Sequence, residues 1–266
     1  MILSIEHRTT YTYTEPVNYT IQQFRLTPQD GFGQRVRQWE IRANGNLHQF
    51  KDAYSNIAHT LVIDGTHEGI SILASGEVET GLDIPPQDTD LPLTVFLRET
   101  PLTAMDDKLR SFAEQFVQPI MGIGIVNSLM SEITDRVKYV KGSTEIETTA
   151  SKAFALGNGV CQDQAHILIA CCRHLGFPAR YVSGYLFTED GSLMESHAWA
   201  DVWVDSNGWQ SFDISNRCRT NGDHVRLATG LDYRDACPVS GMRVGGGKET
   251  MSVLVEVKQS QQSQQQ

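Results

Sequence analysis

The chain reads as an α+β protein in two units, a β-sandwich followed by a mixed helix and strand unit. Three observations predict this. Alternating β-favouring segments dominate residues 1 to about 80, the apolar period turns helical beyond residue 106, and a stretch rich in proline and aspartate lies between. A chain of 266 residues with 40% hydrophobic content can bury a substantial core, and chains of this length often divide in two.

The first unit, placed at residues 1–85, contains Thr9–Thr14 (TTYTYT), Gln38–Ile41 (QWEI), His59–Ile63 (HTLVI) and Ile70–Ser75 (ISILAS). Each is short, β-branched or aromatic, and bounded by turn residues such as Asn44, Gly45 and Asn46, a pattern that predicts a sandwich. The linker is DIPPQDTDLP, Asp83 to Pro92. In the second unit, 93–258, helices are predicted over Asp106–Phe116 and Asn127–Tyr139. Their apolar residues recur at helical spacing: Leu109, Phe112, Ala113 and Phe116, then Leu129, Met130, Ile133 and Val137. A third helix opens near Cys161, carries Ala165, Leu168, Ile169, Cys172 and Leu175, and stops at Gly176. Strands follow in PARYVSGYLF, SHAWADVWVD and GWQSFD, the last two joined by the turn signal Asp205–Gly208. Residues 259–266, rich in glutamine with no apolar group to pack, are expected to be disordered.

Composition limits the function. A net charge of −10 without a Lys/Arg cluster argues against nucleic acid, whose phosphates need a basic face. Apolar runs are broken by charge within about ten residues, far short of the roughly 20 that span a bilayer, so no membrane segment is expected. No basic leader precedes an apolar block, and the five cysteines lack the spacing of a disulfide framework; both predict a cytoplasmic chain with reduced thiols.

The chemistry concentrates in residues 157–216. Cys161 stands where the predicted helix begins, and unpaired N–H groups with the positive end of the helix dipole stabilise a thiolate there. On the strand SHAWADVWVD, His197 shares a face with Trp199, Asp201 and Trp203; on GWQSFD, Asp213 shares a face with Trp209 and Ser211. A hairpin can therefore set Asp213 beside His197, where a carboxylate orients an imidazole against a thiol. Each residue alone has a commoner role: a buried small hydrophobe for Cys161, a hydrogen-bonded structural histidine, a turn aspartate. Their order and context make the combination informative. His166 and His174 lie mostly on other faces of the helix and lack metal-ligand spacing.

The segments GNGVCQDQAHILIACCRHLGFPARYVSGYL, SHAWADVWV, GWQSFDISN and LDYRDACPVSGMRVGGG resemble the transglutaminase-like superfamily, in particular its bacterial members with a distinctive N-terminal β domain. FRLTPQDGFGQ is similar to that domain's own signature. The resemblance implies a papain-like fold with Cys161 as nucleophile, His197 as general base and acid, and Asp213 as the group orienting the imidazole. No cofactor and no metal are expected. Ile214 and Ser215 stand where relatives often have Pro-Thr, and Leu231 where an arginine often precedes Asp-Tyr, which puts substrate contacts in doubt more than chemistry. The expected activity is thiol-dependent acyl transfer on peptide, isopeptide or carboxamide bonds, as a cysteine protease or amidase. A protein-glutamine transglutaminase, a non-catalytic binding scaffold and a metallohydrolase ligated by Cys161, His197 and Asp213 are the alternatives. A peptide or protein substrate is the expected partner. The Cys161 N–H is expected to donate to an oxyanion, with Tyr139 as a second candidate, and the N-terminal unit is expected to shape access to the cleft.

Overall fold

The computed structural model describes residues 1–86, 90–189, 196–205 and 207–260. Part of the expected linker, the middle of the 205–208 turn and most of the glutamine-rich tail lie outside these residues. The predicted α+β architecture is observed. Four strands open the chain, β1 (Ile2–Phe24), β2 (Gln34–Ala43), β3 (Asn46–Lys51) and β4 (Ile57–Thr80). After two 3-10 turns come α1 (Asp107–Glu114), α2 (Ile123–Arg136), the two-residue β5 (Lys138–Tyr139), α3 (Ala150–Leu156), the two-residue β6 (Asn158–Gly159) and α4 (Cys161–His174). Then follow β7 (Ala179–Leu186), β8 (Ser196–Val204), β9 (Gly208–Asp213), β10 (Cys218–Arg219), β11 (His224–Gly230), the single turn α5 (Tyr233–Ala236), β12 (Val239–Gly245) and β13 (Glu249–Gln259).

The N-terminal sheet is built around two long strands, each used twice. Residues 2–12 of β1 pair with 69–79 of β4, and 17–24 of β1 pair with 59–67 of β4, with an irregularity between the two runs. The first half is flanked by β13 and β2, the second by β12 and β3. Leu3, Ile5, Ile72 and Val78 of the first half and Phe24 and Leu61 of the second bury into one shared core. The division at 92/93 therefore needs correction at the other end of the chain. Residues 239–258, counted by sequence with the second unit, hydrogen-bond into the first, because β12 and β13 supply the partners that β1 lacks on its outer edge. Gln259, counted by sequence with the tail, is the last residue of β13, and the Ser260 N–H donates to the Ile2 carbonyl.

The second sheet is antiparallel, in the order β10-β9-β8-β7-β11, and α4 packs against β8 and β7. α4 is amphipathic in sequence but buried from Asp163 through Arg173, enclosed by the sheet on one side and α1, α2 and α3 on others. Its last turn is held by Arg173, whose guanidinium donates to the carbonyls of Phe96, Ala179 and Leu231 and to Thr103 Oγ1. Burial pulls Arg173 down to about 10.

The two units meet along β11. Tyr185, Val225 and Leu227 complete the core of the N-terminal sheet. The free edge of β11 is closed by two side-chain amides that pair as a neighbouring strand would. Gln34 donates to the Arg226 carbonyl at 3.0 Å and accepts from its N–H at 2.8 Å, and Asn56 does the same for Thr229 at 2.7 and 2.8 Å. Beneath them Asp201, fully buried, accepts from both Arg226 Nη atoms, Arg180 Nε and Ser211 Oγ. Phe32 of the first unit lies over the Arg226 guanidinium at 3.8 Å.

Burial by itself would raise the Asp201 carboxyl, but the two guanidinium groups hold it down at about 2. A lowered pKa means stabilisation present above the ordinary carboxylate value of 3.8 and lost as pH falls through about 2. Asp201→Asn, which strands two buried cations, is expected to lower the unfolding free energy at neutral pH by about 3–5 kcal/mol in urea titrations.

Candidate active site

The structure brings Cys161, His197 and Asp213 together. Cys161 is the first residue of α4, preceded by Val160 in extended conformation. The start of the helix is fixed by Asp163, whose Oδ2 accepts from the Val160 N–H at 2.8 Å and from Thr144 Oγ1 at 2.6 Å. Gly159 is required here, since a Cβ would lie 2.7 Å from that carboxylate. The half-exposed Cys161 thus presents its thiol from a turn whose first N–H groups have no carbonyl partner within the helix.

The β8–β9 register decides the other two positions. Ala200 pairs with Phe212 and Asp201 with Ser211, so Asp213 falls diagonally from His197 on the same face, as the strand parity predicts. His197 Nε2–H donates to Asp213 Oδ2 at 2.8 Å, which leaves Nδ1 for the Cys161 thiol, a hydrogen-bond partner of the same imidazole. Burial disfavours the imidazolium, yet the bonds to Asp213 and Cys161, together with their charges, carry His197 up to about 10.

Asp213 has no exposed surface and three donors on one oxygen. Besides His197, Oδ2 accepts from His224 Nε2 at 2.9 Å and Asn216 Nδ2 at 2.7 Å, while Oδ1 accepts from the Asn216 N–H. Burial would raise this carboxyl; the two histidines and the asparagine hold it well below the usual range. His224, the first residue of β11, was missed by sequence reasoning. Its contact with Asp213 spans the sheet, and no local motif marks it. Trp199 lies edge-on to His224 and tilted against His197, and it needs Gly184 beneath it, where a Cβ would come within 2.5 Å of the indole.

His197, Asp213 and His224 place three possible metal-ligating atoms within 4.8 Å of one another. Their Nε2 and Oδ2 atoms are already joined directly, as N–H donors on a carboxylate, and Cys161 is a further hydrogen-bond partner of His197. His166 and His174 stand apart from these groups: His166 accepts from the Tyr233 N–H and is pushed down to about 3 by burial, and His174 contacts Glu114. Cys171 and Cys172 lie in the core.

Ile214, Ser215 and Leu231, expected to affect substrate contacts, are structural. Ile214 is buried in the main core, Ser215 donates to Gln164 Oε1 at 2.7 Å, and Leu231 packs with Phe96 and Trp209. A cavity of about 520 Å³ opens over Cys161 and His197. Tyr139 stands in its wall, held beside the active-site loop by the pairing of β5 with Gly159 of β6. The N-terminal sheet forms another part of the wall through His7, Thr9, Met251 and Val253. His7 bonds Tyr185 Oη and Thr9 Oγ1, and burial brings it down to about 4.

The transglutaminase-like superfamily model matches residues 111–214, and the bacterial transglutaminase-like N-terminal region matches residues 3–79. An uncharacterized protein of Mycobacterium leprae is 24% identical over 275 residues, covering 96% of this chain and 98% of its own. One from Mycobacterium tuberculosis is 26% identical over 270 residues, covering 90% and 86%. The crystal structure of a candidate cysteine protease from Cytophaga hutchinsonii superposes with a TM-score of 0.79 at 25% identity, over 97% of this chain and 90% of that one.

The raised pKa of His197 implies stabilisation that is complete below 6.5 and is lost as pH rises through about 10. The stability advantage of the wild type over His197→Gln, measured by urea unfolding, is expected to shrink steadily across that window.

Proposed function

From the match of residues 111–214 to the transglutaminase-like superfamily model, with a match to the bacterial transglutaminase-like N-terminal region ahead of it, we propose a thiol-dependent acyl-transfer enzyme that hydrolyses peptide, isopeptide or carboxamide bonds. The observation that carries this reading is the Cys161–His197–Asp213 relay on the wall of an open cavity. The likeness to the Cytophaga hutchinsonii protein supports the same general chemistry.

In this reading the Cys161 thiolate attacks the amide carbon, forming an S–C bond and moving the carbonyl electrons onto oxygen. The Cys161 N–H at the start of α4 donates to that oxyanion, and the Tyr139 hydroxyl is the second candidate donor. When the C–N bond breaks, imidazolium His197 gives its proton to the departing amine and a thioester remains. His197 then takes a proton from water, the hydroxide attacks the thioester carbon, and the carboxylic acid leaves as the thiolate is restored. Asp213 keeps the imidazole in the orientation and tautomer that both steps require, and His224 and Asn216 keep Asp213 in place. Hydrolysis is favoured over amine transfer because the cavity is open to water. The five cysteines are all free, which supports a reducing, cytoplasmic setting.

Wild type and Cys161→Ala are to be incubated with peptides bearing glutamine amides and γ-linked bonds, with and without a primary amine, and the products weighed by mass spectrometry. Cleaved or deamidated products that require Cys161 are expected. Products joined to the amine would instead make the enzyme a transglutaminase, and no Cys161-dependent product would favour a binding scaffold.

A further inference from the structure

β13 runs its odd-numbered side chains along the inner face of the N-terminal sheet. Val255 and Val257 are buried there, 1% and 3% exposed, in the core that holds Leu3, Ile5 and Ile72. The same face continues to Val253 and Met251, which are 47% and 54% exposed. Both line the Cys161 cavity, next to His7 and Thr9 of β1, which are themselves buried, and with Pro238 and Val239 at the start of β12. These apolar residues are uncovered only where a core-facing surface runs out into the cavity.

We propose that Met251, Val253, Pro238 and Val239 form a subsite for an apolar side chain next to the scissile amide, so that acyl donors carrying an aliphatic or aromatic residue there are preferred over charged ones. This rests on the acyl-transfer reading of Cys161. The occupant is a substrate side chain because the surface shares a single cavity of about 520 Å³ with the thiol, a space suited to one or two residues of an extended chain. Among the described residues lining that cavity none is acidic; its cationic groups, Lys141 and His197, come from the other unit of the chain, and on the side of Met251 and Val253 the neighbouring His7 is held neutral at physiological pH by burial, so these apolar residues themselves offer little to a charged group. Desolvating one leucine-sized side chain there is enough for roughly tenfold discrimination.

Affinity labelling tests the subsite without requiring turnover. Chloroacetyl-leucine amide and chloroacetyl-glutamate amide each alkylate a thiolate, forming S–C as chloride leaves, and their rates at Cys161 can be read by mass spectrometry. The leucine reagent is expected to react about tenfold faster with the wild type, and Met251→Ser/Val253→Ser is expected to bring the ratio near one while iodoacetamide reacts at an unchanged rate. Val253→Thr, which conserves volume, repeats the test should the double variant fold poorly, and must also lower the ratio; Leu254→Ser, on the opposite face, must not. Equal rates for the two reagents in the wild type, or a ratio untouched by the substitutions, would overturn the proposal. A ratio that behaves as expected in a protein that turns over no amide would uphold the subsite and sink the acyl-transfer reading instead.

Discussion

The arrangement rests on one constraint: α4 is buried along eleven consecutive residues, Asp163 to Arg173, and can meet a substrate only at its first turn. A helix so enclosed has no freedom to slide, because every neighbouring layer is packed against it at near-crystalline density. Arg173 ties its far end to three carbonyls and Asp163 ties its near end to the loop before it. The thiol is therefore delivered by a rigid element, and the histidine and aspartate come from a sheet that the same helix covers. Under the proposed function such positioning matters, since displacement of reacting groups by about 1 Å can cost on the order of a hundredfold in rate.

Much of this was legible in the residues. The parity of β8 and β9 put His197 and Asp213 on one face, and the glycine-flanked start of α4 put Cys161 at a helix terminus. The apolar spacing located α1 and α2, although α2 begins at Ile123 rather than near Asn127. What could not be read depends on distant pairing. His224 reaches Asp213 only because five strands assemble in a particular order. The long β1 and β4 read as short strands because each breaks its alternation midway, where it changes partners. The strand β13 was within reach, since Met251, Val253, Val255 and Val257 alternate with Ser252, Leu254 and Glu256. Its place beside β1 was not, as nothing local says which edge a terminal strand will join.

The reading of α4 as one-sided shows a different limit. A helix stripe tells which residues prefer burial, not how many layers will surround them. Here Gln164 and Arg173, polar on paper, are satisfied inside by backbone carbonyls, Ser215 and Thr103, and His166 Nε2 accepts from the Tyr233 N–H while its buried Nδ1 has no partner among the described residues. Buried polar groups with complete hydrogen bonding are tolerated and add definition to a core, so polarity alone misplaces them.

The pairing of Leu3 with Gln259 also sets an order of events in synthesis. β1 leaves the ribosome before β12 and β13, and one of its edges waits for those two strands, which are translated after Cys161, His197 and Asp213. Such long-range pairing is slow to form and leaves an unpaired strand open to wrong neighbours in the interval. Because β13 is also a wall of the cavity, the space over Cys161 is complete only once that strand has joined β1. Under the proposed function, the groups that react would be in the chain before the strand that helps to select the substrate.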